Sequence, residues 1–167
     1  VRTPEEVRNV HAMVLGNLLG EGDAGFAAEV AKPLRPERVF LAGLGSTFEK
    51  EDEVIGRLGI RHAGPEELAR TSGPVLQWIR ENGVRRLAVH LDLDVLDPLL
   101  FRPLQSTSPE LPPNLAYRTG SMTMPQVVRL LDDAAALADV VGLTIAEHMP
   151  WDAINLQKML RRFPLLG

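Results

Sequence analysis

Helical and strand-like runs of apolar residues follow one another along the whole chain. Thr3-Pro4-Glu5-Glu6 resembles a capping box with proline at the first helical position, and Asn9 is a second candidate cap. The helix that follows runs through Met13, Val14 and Leu18 and stops near Gly20. Ala24 to Lys32 predicts a short helix ended by Pro33, and Arg38 to Leu44 a buried strand closed by Gly43 and Gly45. A charged helix over Glu49 to Arg57 and a short strand over Gly59 to Ala63 come next. Pro65 to Asn82 predicts one amphipathic helix with Gly83 as its stop, and Val84 to Leu93 the central strand. Phe101 to Gly120, with four prolines, is a long loop. Met124 to Ala138 predicts a helix with Leu130, Leu131, Ala134 and Leu137 on its apolar face. Val140 to Ala146 predicts another buried strand, and Asp152 caps a last helix to about Arg162.

Strands separated by helices imply right-handed crossovers and a parallel sheet covered on both faces. The fold class is therefore α/β. Ligands in such sheets lie outside the carboxyl ends of the strands. Asp92 to Asp97, Glu147-His148 and the loop after Leu44 fall at such ends.

Composition narrows the function classes. A chain of 167 residues, 45% apolar and 24% charged, reads as one globular domain over 1–167. A net charge of −4 gives no basic footprint for nucleic acid. The chain has no cysteine, which excludes disulfides, zinc-thiolate sites and a cysteine nucleophile. No apolar run approaches the ~20 residues that cross a bilayer, and no signal sequence opens the chain, so no membrane partner and a cytoplasmic location are expected. The first residue is Val1 rather than methionine, which leaves processing or truncation open.

Candidate chemistry centres on Val89-His90-Leu91-Asp92-Leu93-Asp94-Val95-Leu96-Asp97-Pro98. Asp92 and Asp94 lie two apart on a strand and share a face, and Asp97-Pro98 forces a turn. Carboxylates ending a buried strand are costly unless compensated, and hard cations such as magnesium and manganese compensate them. The competing reading is that they cap or turn the next segment, a role that suits Asp97 well. Glu147 ends a second strand, either as an anion aimed at a cationic substrate or metal, or as a solvated loop carboxylate. His11 lies beside an apolar helix face, where a histidine is more often structural than catalytic. His90 shares the face of Asp92 and either orients a carboxylate or is a hydrogen-bonded core histidine. His62 and His148 read as structural, and Arg161-Arg162 as a solvated helix end. Gly43-Leu44-Gly45-Ser46 lacks the third glycine and the lysine of phosphate loops and reads as a tight strand exit.

Four motifs, in order, resemble one family. His90-Leu91-Asp92-Leu93-Asp94-Val95-Leu96-Asp97-Pro98 resembles the second metal-binding signature of the ureohydrolases (arginase, agmatinase, formiminoglutamase). Asn114 to Gly120 is similar to their Gly-Leu-x-Tyr-Arg-Glu-Gly segment. Ala146-Glu147-His148-Met149-Pro150, with Asp152 beyond, resembles their Glu-x-x-Pro, and Asn9-Val10-His11-Ala12-Met13 their Asn-x-His-Gly-Met. The resemblance implies a three-layer α/β/α sandwich with a mostly parallel sheet. It implies Asp92 and Asp94 as ligands of a two-manganese centre that activates water against a guanidinium carbon. It further implies Glu147 as the partner of the guanidinium, His11 as proton shuttle toward the leaving amine, and urea as product. Assembly into trimers or hexamers is also implied.

The departures are specific. The family's Gly-Gly-Asp-His and Asp-Ala-His-x-Asp motifs, which supply most of its metal ligands, do not occur. Val1-Arg2-Thr3-Pro4 resembles the sequence just past the second of these, so the chain reads as the C-terminal portion of an arginase-like protein, incomplete at its N-terminus. Arg2 stands where arginases carry asparagine, Phe48 near a substrate-reading aspartate, and Pro112-Pro113 near a glycine pair, while Glu51 fits a neighbouring acidic, substrate-binding position. The leading expectation is a manganese-dependent hydrolase of a guanidino carbon–nitrogen bond, inactive as this segment alone. The alternatives are a non-catalytic remnant that serves as an oligomerisation or binding module, and a magnesium-dependent transferase built on Asp92-x-Asp94, which lacks a basic phosphate cradle.

Overall fold

The computed structural model describes residues 13–108, 119–149 and 153–163. The expected helix starts at Thr3 and Asn9, His11, the Asn114–Arg118 part of the third motif, and the Asp152 cap lie outside the described residues. The order of elements is α1 (Val14–Leu18), α2 (Ala24–Ala28), β1 (Phe40–Ala42), α3 (Glu49–Leu58), β2 (Arg61–Ala63), α4 (Pro65–Arg70), α5 (Gly73–Glu81), β3 (Arg86–Asp92), α6 (Met124–Ala135), β4 (Asp139–Ala146) and α7 (Ala153–Leu160). Two strand pairs form, β1 with β2 and β3 with β4. No helix among the described residues is long and apolar enough to cross a membrane.

The chain divides into two compact units, 1–41 with 47–61, and 42–46 with 62–167. In the first, Asp23 caps α2 by accepting from the amides of Gly25 and Phe26 at 2.8 and 3.2 Å. Arg57 of α3 donates to Glu21 at 2.6 Å, and that bond, first among its causes, holds the Glu21 carboxyl below its ordinary value. Val54, Ile55 and Ile60 are buried.

The second unit carries β3 and β4, which run parallel with Arg86 opposite Asp139 and Asp92 opposite Ala146. A bulge between Leu87 and Ala88 shifts the register by one residue. Thr123 and Gln126 cap α6 reciprocally, at 3.4 and 2.8 Å. Val127, Val128, Leu130 and Ala134 are the buried face of α6; Leu131 is half-buried, and Leu137 lies past the helix end and is exposed. Leu68, Leu93, Leu96, Phe101 and Met122 are buried to 1% exposure or less, at roughly 1.5–3 kcal/mol for each large apolar side chain.

Two expectations need correction. Pro65 to Asn82 is two helices, because Thr71 is extended (φ −157°, ψ 146°) and the second starts at Gly73-Pro74. Pro74 offers no N–H to the preceding turn and suits the first turn of a new helix. β3 and β4 are not buried strands among the described residues, since Arg86, Ala88, His90 and Thr144 are exposed. The sequence of β3 alternates accordingly, with Leu87, Val89 and Leu91 on the more buried face.

Candidate functional site

The carboxyl ends of β3 and β4 form one rim. β3 finishes at Asp92, and Leu93–Val95 makes one tight 3₁₀ turn, with the Asp94 amide directed at the Asp92 carboxylate over a long 3.5 Å. Leu93 and Leu96 anchor both ends of the turn in the core. Asp97 then accepts from the Leu99 amide at 2.8 Å and starts the next turn, so it fills the turn-forming role open to it in the sequence. On the neighbouring strand Ala146 is the register partner of Asp92, and Glu147 is the next residue.

Glu147 takes φ +60°, the left-handed region, which costs a residue with a Cβ roughly 1–2 kcal/mol. Its charge is one of those that act on Asp94. The Asp94 carboxyl is pushed up from 3.8 to about 6, first by the crowding of protein atoms around it, then by the charge of Asp92 and a hydrogen bond with it, then by the charge of Glu147. Asp94 is nonetheless exposed to solvent. Three carboxyl groups from two strand ends thus share one neighbourhood, which a positively charged group would stabilise.

Two glycines hold the turn that carries Asp94. The Gly120 amide donates to the Asp94 carbonyl at 2.8 Å, and the Met122 amide to the Val95 carbonyl at 3.1 Å. A Cβ on Gly120 would lie 2.0 Å from both the carbonyl carbon and the oxygen of Val95. A Cβ on Gly43, at φ +79°, would lie 2.6 Å from Val95 Cγ2 and 2.9 Å from Met122 Sδ. Residue type in the sequence marked this segment, but only coordinates assign Gly120 its contact.

The remaining candidates separate. His90 is exposed on the sheet face, and its Nδ1 lies 2.6 Å from the Thr144 hydroxyl. It is hydrogen-bonded, as one reading held, but it is not in the core. Glu51 lies in the first unit, where its carboxylate accepts from the Phe48 amide at 2.9 Å at the start of α3. His62 and His148 are exposed.

The donors at the rim are hard oxygens of the kind manganese takes. Their number is short: no group of three or more His, Cys, Asp or Glu able to hold a metal occurs among the described residues. Two aspartates do not complete a divalent-metal site, so the residues on the rim do not by themselves fit the manganese pair that the resemblance implies.

No family model matches the chain. Among curated proteins it is similar to the N(omega)-hydroxy-L-arginine amidinohydrolase of Streptomyces lavendulae, 29% identical over 147 residues, which is 87% of this chain and 46% of that protein. Among solved structures it is similar to the arginase of Entamoeba histolytica, solved with L-ornithine, at TM-score 0.76 and 17% identity over 96% of this chain and 54% of that one. The arginase of Bacillus caldovelox matches at TM-score 0.72 and 24% identity, over 90% of this chain and 50% of that one. The chain therefore spans about half the length of the relatives it matches. It has the α/β fold of the arginases and resembles, in sequence and over that part of their length, the amidinohydrolases of the ureohydrolase family.

Proposed function

We propose that the protein serves in the hydrolysis of a guanidino carbon–nitrogen bond, giving urea or a related amide and an amine. The observation that carries this reading is the convergence of Asp92, Asp94 and Glu147 at one rim of a parallel strand pair. A guanidinium is a planar cation with paired N–H donors, and carboxylates match it by charge-assisted hydrogen bonds. In this reading Glu147 holds the guanidinium, and the Asp92–Asp94 turn bounds the pocket on the β3 side. His11, as proton donor to the leaving amine, and Glu51, as a contact to the rest of the substrate, rest on the resemblance to the family. Manganese and a trimeric or hexameric assembly have the same footing.

The short donor set favours one further point. In this reading the rim binds the substrate cation, whereas turnover requires the metal ligands of the family's Gly-Gly-Asp-His and Asp-Ala-His-x-Asp motifs, which do not occur in this sequence, so that this chain alone is inactive. The experiment is a titration of the purified chain with L-arginine and Nω-hydroxy-L-arginine, with a urea assay in the presence of manganese chloride. Saturable binding that weakens at least ~10-fold in Glu147→Gln, without urea release, is expected. Absence of binding contradicts the guanidino reading, and urea release by the chain alone contradicts its inactivity.

A further inference from the structure

We propose that Gly120 is a positioning residue for Asp94, setting the distance between the β3 turn and Glu147 from behind the turn. The proposal rests on the guanidino reading of the rim. Two contacts meet at this residue. Its amide donates to the Asp94 carbonyl at 2.8 Å, and the space where a Cβ would stand is filled by the Val95 carbonyl at 2.0 Å. The obstacle is backbone, so no side-chain rotation can relieve it. The next residues continue the grip: Met122 donates to Val95, accepts from the Asp97 amide at 2.9 Å, and bridges Leu96. The turn is therefore clamped to the 120–122 segment at Asp94, Val95 and Asp97, and its closest point is the Val95 carbonyl, the residue after Asp94.

Adding one methyl group at position 120 must move the Val95 carbonyl, and with it the adjoining Asp94 carbonyl at 2.4 Å, by about 1.4 Å for the Val95 contact to open from 2.0 Å to an ordinary 3.4 Å. A displacement of that size, passed along the backbone to the Asp94 carboxylate that bounds the pocket, costs on the order of 10- to 100-fold. Gly43 differs, because its Cβ would meet the ends of side chains, Val95 Cγ2 and Met122 Sδ, which can shift. A glycine with open space around it, Gly56 of α3, is the control.

The test is a titration of methylguanidine into the chain, followed at the amide resonances of Asp94, Val95 and Glu147. In Gly120→Ala the Asp94 and Val95 resonances are expected to move in the free protein, and the Kd for methylguanidine to rise at least ~10-fold, with Gly56→Ala unchanged in both. Unmoved resonances, or moved resonances with an unchanged Kd, overturn the proposal. If the parent chain does not bind methylguanidine, the guanidino reading fails instead, and the displacement at Asp94 and Val95 alone decides for or against Gly120. If Gly120→Ala does not fold, the parent decides. Its Gly120 amide is expected to be protected from hydrogen exchange, and slowed further by any methylguanidine that binds; an unprotected amide overturns the proposal.

Discussion

Asp94 holds the strongest electrostatic tension described in the chain. Its folded-state carboxyl, near 6, binds a proton more tightly than the unfolded one at 3.8. Ionising it therefore works against the fold. Its contribution is most favourable below pH 4, declines as pH rises toward 6 and stays low above that. Asp94→Asn removes the tension and is expected to raise stability at pH 7 by about 1 kcal/mol, once solvent screening of a partly exposed group is allowed for. Thermal unfolding at pH 7 and pH 3.5 checks this: the gain should vanish at the lower pH, and an equal gain at both contradicts the electrostatic cause. Glu147 stores a different cost, in its backbone. Glu147→Gly releases the left-handed strain and adds chain entropy to the unfolded state, for a net change between zero and about +1 kcal/mol in stability, while guanidino binding is lost. A loss of more than ~1 kcal/mol in urea denaturation would show that the side chain is needed for folding.

At the scale of elements, Arg129 ties α6 to the end of α4. Arg129 of α6 donates to the Leu68 and Ala69 carbonyls near the end of α4, the latter at 3.1 Å, and Ser72 donates to Asp133 at 2.6 Å just beyond. These carbonyls belong to the last turn of a helix, where no intrahelical donor remains. Arg129→Met is expected to cost about 2 kcal/mol in urea denaturation, because it strands part-buried acceptors. A cost under ~0.5 kcal/mol would mean that water replaces the guanidinium freely. The elements themselves were largely legible: α3, α6, β3 and β4 lie within a few residues of where hydrophobic period and caps put them. The break between α4 and α5 was written in Gly73-Pro74 but was overridden by the apolar periodicity on either side. The exposed face of β3 was likewise written in the alternation of Arg86, Ala88 and His90 with leucine and valine, which a reading of the strand as buried passes over. The left-handed Glu147 and the contact behind Val95 were not legible, since both depend on how distant segments meet.

In the whole molecule, two parallel strand ends bring Asp92, Asp94 and Glu147 to one rim. The arginase fold carries the same argument, because an α/β sheet gathers chemistry at the carboxyl ends of its strands. The proposed function depends on that gathering, since isolated carboxylates on separate faces would bind a guanidinium no better than the rest of an acidic surface. The most direct measurement is the titration of the side-chain carboxyl carbons by NMR in the parent chain and in Glu147→Gln. The Asp94 carboxyl is expected to titrate near 6 in the parent and at lower pH once the Glu147 charge is removed. An Asp94 that titrates near 4 in both proteins would contradict it, because the carboxylates would then not share a site.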